Sequence, residues 1–182
     1  MASKGDVIDN PFTGERVIFL QTSEDTSGEL LRFEYVLPPR FSIPEHVHPA
    51  QEERHEILSG ILRGRVGGRE LDFREGERAV GPPGVPHAWR NPSENEQLRI
   101  VSEVRPALHM EALIEGGFGL ARDLKTGRRN VPKRLLRMIV LANEAKHEFY
   151  VTAVPRPVRG AFSLFLGALA YVVGRLGYGG ER

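Results

Sequence analysis

"PEHVHPAQEERHE", residues 44–56, sets three histidines and four glutamates within thirteen positions. On a strand, side chains two residues apart share a face, so His46 and His48 point the same way and two imidazoles can reach one ion. The same alternation, started from Glu53, puts His55 and Ile57 on one side. So many ligand-type side chains form either a solvated surface or a site, and the flanking sequence decides between them.

Outward from this stretch the apolar pattern alternates in short runs as far as residue 105: "RVIFL", "ELLRFEYVL", "HEILSG", "ILRGRVGG", "RELDF", "RAVGP", "HAWRN" and "LRIVSEV". Glycine, proline, asparagine and serine separate them, which predicts about eight short strands in a β-sandwich or barrel. After "RPA" the period becomes helical. One helix is expected over 107–125, weakened by Gly116 and Gly117. A second begins at "NVP", where Pro132 suits a first turn, and continues through "KRLLRMIVLANEAKHEF". "VPRPVRG" breaks the chain before a third, apolar helix reaching about Tyr178. The expected division is a β domain over residues 1–106 and a helical C-terminal extension over 107–182. Charge divides there too: 13 Lys and Arg stand against 18 Asp and Glu in the first part, and 12 against 6 in the second. With 182 residues, 40% of them hydrophobic, the chain can bury a core. It has no cysteine, which excludes disulfides, thiolate metal sites and cysteine nucleophiles. The first fifteen residues lack an apolar run, so no secretory signal is expected and the cytoplasm is the default location.

Two linked patterns resemble the cupin superfamily. The first is His46, His48, four residues, Glu53, six residues, Gly60; the second is Gly76, Pro82, Gly84, His87 and Asn91 at the family's spacings. The resemblance spans roughly residues 16–106. It departs from the family at one position: the glycine expected six residues before the first histidine is Arg40. The resemblance implies an all-β antiparallel barrel of the cupin or jelly-roll type, with His46, His48, Glu53 and His87 as ligands of one metal. Three imidazoles and one carboxylate suit a divalent transition ion, Fe, Mn, Ni, Cu or Zn, with Fe placed first. Glu52 competes with Glu53, because the motif tolerates a shorter gap; the distance to Gly60 favours Glu53.

His55 is expected near the metal, as a catalytic acid/base or as a hydrogen-bonded core histidine. Trp89 and Asn91 share the parity of His87, so Trp89 is a pocket wall or core. Tyr35 either packs or touches substrate. Gly64, between Leu62 and Val66, marks a bulge or leaves space for a ligand. Cupins include dioxygenases, decarboxylases, isomerases, epimerases and non-enzymatic binding proteins. The expected function is a mononuclear-metal enzyme, dioxygenase-like, acting on a small organic substrate; the alternative is a metal-dependent small-molecule binding or sensing module. "GGRE" and "GPPG" lack the residues of phosphate cradles, and no serine sits in a nucleophile elbow. The basic run 122–137 lacks interleaved aromatics, so no nucleic-acid partner is expected. In the tail, Gly160, Gly167 and Gly174 recur every seven residues along an apolar helix. That segment is expected to pack on the β domain or to form a homodimer interface, with peripheral membrane contact through residues 158–178 as the other outcome. Lys133, Arg134 and Arg137 lie early in their helix, where the dipole disfavours cations, and imply a nearby acidic surface, such as that of the β domain, or an anionic lipid headgroup.

Overall fold

The computed structural model describes residues 1–128 and 131–173. Among these residues ten strands precede the helices and an eleventh lies between the second and third helix: β1 (Val7–Asp9), β2 (Arg16–Gln21), β3 (Leu31–Leu37), β4 (Ser42–Val47), β5 (Glu52–Ser59), β6 (Ile61–Val66), β7 (Arg69–Arg74), β8 (Arg78–Gly81), β9 (His87–Arg90), β10 (Leu98–Arg105), α1 (Met110–Thr126), α2 (Val131–Glu144), β11 (Tyr150–Val151) and α3 (Arg156–Val173). The strands form two antiparallel sheets, ordered β1-β2-β3-β10-β5-β8 and β11-β4-β9-β6-β7. The single barrel expected from sequence is thus two sheets with separate ladders. Their inner faces bury Leu37, Ile57, Leu62, Trp89, Leu98 and Ile100 in one cluster. A second cluster, Val17, Phe19, Leu31, Phe33 and Val104, is covered by Met110, Ile114 and Phe118 of α1. Strands β1 and β11 were not expected; at three and two residues they are too short to show a period.

Two local devices shape the strands that carry the histidines. Between Ile43 and His46 the register of β4 against β9 shifts, so that Pro44 and Glu45 stand opposite the single residue Ala88. Proline has no N–H to give to a ladder and is tolerated at such a bulge, which sets Ile43 and His46 on the same face. Before β9, Pro82-Pro83-Gly84-Val85 closes a turn through Val85 N–H to the Pro82 carbonyl, 3.2 Å. Gly84 has φ +73°, the left-handed conformation such a turn needs at its third position. Its N–H donates to the His48 carbonyl at 2.8 Å, tying the two motif segments together.

Arg40 stands where the family pattern has glycine, and it adopts φ +61°. A side chain in this region costs about 1–2 kcal/mol. Its N–H donates to Ser93 O at 3.0 Å, and its exposed guanidinium meets Glu94 at 2.7 Å, an ion pair of small worth. Arg40→Gly is therefore expected to raise the unfolding free energy by up to about 1 kcal/mol, read as a higher denaturant midpoint. A midpoint lowered by that amount would show that the salt bridge outweighs the strain.

Helix α1 is not interrupted at its glycines, because Gly116 and Gly119 are where α2 approaches. A Cβ there would lie 2.2 Å from Met138 Sδ and 2.4 Å from Arg134 Nη1. Arg134 pairs with buried Asp123 of α1 at 2.8 Å, so for this cation the acidic neighbour is on α1. Helix α2 ends at Glu144 rather than continuing to Phe149, since Tyr150 and Val151 join the sheet edge beside His46 and Val47. Helix α3 lies against α2, with Asn143 Oδ1 at 3.4 Å from where a Cβ on Gly167 would be, and not on the β domain, one of the two places expected for it. Leu164, Phe165 and Tyr171 are exposed. Gly174 and the helical reading to Tyr178 lie outside the described residues. Among the described residues no helix is long and apolar enough to cross a membrane.

Candidate metal centre

Four buried side chains from β4, the loop after it, β5 and β9 converge: His46, His48, Glu53 and His87, with one ligand atom each inside 4.8 Å of all the others. Cross-strand pairing explains the convergence, because His46 is directly opposite His87. From His87 Nε2 to Glu53 Oε2 is 3.3 Å, and from His46 Nε2 to the same oxygen 3.9 Å. Such separations are those of donors about 2.1 Å from a shared centre.

The imidazoles are oriented for that role by their other nitrogens. His46 Nδ1–H donates to the Pro44 carbonyl at 2.8 Å and His87 Nδ1–H to the Val85 carbonyl at 2.8 Å. His48 Nδ1–H is held between Gln51 Oε1 at 3.2 Å and the Glu148 carbonyl at 3.3 Å. With each Nδ1 donating, each Nε2 carries a lone pair directed at the common point, the tautomer a metal requires. Buried His87 Nε2 has no hydrogen-bond partner among the described residues. An ion would supply that partner, and the donor set fits one. Burial pushes His46 and His48 below the usual imidazole range, which keeps their lone pairs free. Burial acts to raise Glu53, but His55, His87 and His48 outweigh it and hold the carboxyl well below its ordinary value. For His87 burial pulls down, and the adjacent Glu53 carboxylate prevails, raising it.

Glu53 is positioned by Trp89, whose Nε1–H donates to Oε2 at 2.7 Å. Trp89 belongs to the core and reaches Glu53 from there. Gly64 is small for Trp89: a Cβ would be 2.5 Å from Cζ3 of its ring. The β6–β7 register runs unbroken through Gly64, so this glycine is neither a bulge nor a ligand space. Gly81 likewise leaves room for the His87 ring, 3.0 Å from an added Cβ. His55 is buried behind the carboxylate, Nε2 3.6 Å from Glu53 Oε1, Nδ1 3.0 Å from Ser102 Oγ and its ring edge-on to Trp89. It does not line the cavity over the metal ligands. Asn91 caps a loop, its Nδ2–H donating to the carbonyls of Pro38 and Glu96. Glu52 pairs with Arg54 at 2.5 Å, away from the cluster. Glu52→Gln is expected to leave metal content unchanged by elemental analysis; a loss would mean that Glu52 reaches the ion.

Sequence reasoning missed Gln51 and Glu148. Gln51, fully buried, accepts from His48 and donates through Nε2 to the carbonyls of Pro106 and Ala107 at 3.0 and 3.1 Å. Glu148 accepts from the N–H of His109 at 3.0 Å and bonds its ring, fastening the start of α1. The segment after α2 thereby holds His48, a candidate metal ligand, in place. Neither residue has a periodicity or motif that would have revealed it.

A cavity of about 520 Å³ opens over the cluster. His46, His48 and Glu53 form its floor; α1 contributes Met110, Leu113, Ile114, Gly117 and Phe118, and Phe149 and Val151 close the side. Tyr35 lines it with its hydroxyl bonded to Glu15, and burial raises its phenol.

Residues 33–102 match the family model described as a cupin domain. The matched segment contains both histidine motifs and all four gathered side chains. Among solved structures, a Thermotoga maritima protein described as a predicted oxalate decarboxylase is similar at 20% identity, with a TM-score of 0.50, over 58% of this chain and 99% of that one. An RmlC-like cupin from Shewanella frigidimarina shares 18% identity over 55% of this chain and 83% of its own, with a TM-score of 0.48. A Thermus thermophilus protein shares 29% over 43% of this chain and 74% of its own, with a TM-score of 0.41. No curated protein matches the sequence.

Proposed function

We propose that this cupin is a mononuclear-metal enzyme, dioxygenase-like, acting on a small organic substrate, with His46, His48, Glu53 and His87 holding one divalent ion, Fe first. The observation that carries this reading is that three of the four ligands floor a cavity large enough for a small molecule, so one side of the site faces substrate. When bound there, a redox-active divalent ion supplies Lewis acidity and dioxygen chemistry. The residues around it do the rest. The Nδ1–H bonds fix the tautomer of the three imidazoles and aim them; Trp89 fixes one oxygen of Glu53; apolar side chains line the space above.

The choice among cupin reactions follows from what lines the cavity. Isomerisation, epimerisation and decarboxylation need a positioned side chain to move a proton. Beyond the metal ligands, the polar side chains in the lining among the described residues are Asn10 and Tyr35, and both are engaged with Glu15. A reaction whose bond-making comes from the ion and dioxygen needs no such group. His55, behind Glu53, serves in this reading through the carboxylate it faces rather than by touching substrate. The same shortage of acid/base groups favours, as the second reading, a metal-dependent binding or sensing module without turnover. Nitric oxide, an EPR-visible stand-in for dioxygen, tests the first reading: the Fe(II)-loaded protein is expected to give a high-spin iron–nitrosyl signal. No such signal from protein shown to contain iron would overturn it.

A further inference from the structure

The wall contributed by α1 has a period of its own. Met110, Leu113, Ile114, Gly117 and Phe118 stand at i, i+3, i+4, i+7 and i+8, the apolar stripe of an amphipathic helix, and all five face the cavity. Four of the five are large. At the fourth position the stripe carries glycine, the residue that costs an interior helix most after proline. Packing accounts for the two neighbouring glycines, since side chains on Gly116 or Gly119 would collide with Met138 or Arg134. It does not account for Gly117, where an added Cβ would meet nothing within 4 Å. The space it leaves belongs to the cavity. Apart from Glu53, which is enclosed by histidines, no charged side chain among the described residues lines that cavity, and the hydrogen bonds of Asn10 and Tyr35 are spent on their neighbours.

We infer that the substrate is a molecule with one oxygen-donor head for the metal and an extended, uncharged apolar body, aliphatic or aromatic, that lies along α1, and that Gly117 is the specificity-determining residue that sets how long this body can be. This rests on the proposed metal centre for the head and on the cavity alone for the body. A small dianion or a sugar would leave its polar groups without partners against this wall, which is a large penalty.

Two ligand series separate the parts. Straight-chain alkyl hydroxamates from two to ten carbons, titrated calorimetrically into the metal-loaded protein, report head and body together; 1-alkanols of four to ten carbons, titrated with and without metal, report the body alone. In both series affinity is expected to rise about four-fold per methylene up to a limiting length. Gly117→Leu should shorten that limit by several carbons while leaving acetohydroxamate affinity unchanged, and Gly117→Ala, which adds only the Cβ that meets open space, should shorten it less and raise the Tm. Failure of the metal reading removes acetohydroxamate binding but leaves the alkanol series and its response to Gly117 intact. Affinity independent of chain length in both series, or a Gly117→Leu protein whose limit is that of the wild type, would overturn the inference.

Discussion

His87→Ala is expected to lose its metal while staying folded. His87 has no exposed surface, pairs in register with His46, and places its unpartnered Nε2 3.3 Å from Glu53 Oε2. Alanine leaves three donors around a space shaped for four. Changing a residue that only orients a ligand typically weakens metal binding about 10–100-fold, so deleting a ligand should cost at least the upper end of that range. The strand itself does not depend on the ring, because β9 is held by backbone pairing to β4 and β6. Equilibrium dialysis against a competing chelator, with circular dichroism on the same samples, gives both numbers. A variant with wild-type affinity would remove His87 from the ligand set.

Trp89→Ala should be the most destabilising single change in the β domain. The indole is 1% exposed and fills the space that Gly64 vacates, so truncation leaves a large cavity, at about 3–5 kcal/mol. That is a substantial share of the roughly 5–15 kcal/mol typical of a folded domain. Trp89→Phe separates packing from positioning. It keeps most of the ring volume but removes the Nε1–H bond to Glu53, so about 1–3 kcal/mol of stability should go, with a 10–100-fold loss of metal affinity. Urea denaturation and metal titration of both variants check this. Wild-type metal affinity in Trp89→Phe would show that Glu53 is held in place without the indole.

The four gathered side chains could be read from the sequence because motif spacing and strand parity are local rules. His46, His48, Glu53 and His87 meet as the two motifs imply, and the bulge at Pro44 does not upset this because it precedes both histidines of its segment. Parity also placed His55 and Trp89 inward but could not say that one stands behind the carboxylate and the other bonds to it. Those are facts of register: His55 faces Ser102 across β10, and Trp89 faces Gly64 across β6. Gly64 showed as an oddity in the sequence, yet its reason sits on another strand. The extension was harder to read. Its helices were visible by period, but that α1 roofs the cavity, that Glu148 reaches His48, and that a two-residue strand borders His46 are long-range contacts with no local signature. The pair Gly116 and Gly117 suggested a weak helix; close approach of α2 at one and open cavity at the other are what place them there.

The central claim is that His46, His48, Glu53 and His87 hold one ion, and elemental analysis of the intact protein purified without chelators from metal-replete cells tests it most directly. The account predicts about one divalent transition ion per chain, lost in His87→Ala and retained in Glu52→Gln. Protein that is folded and free of transition metal, and that takes up none from Fe(II), Mn, Ni, Cu or Zn on titration, would contradict it.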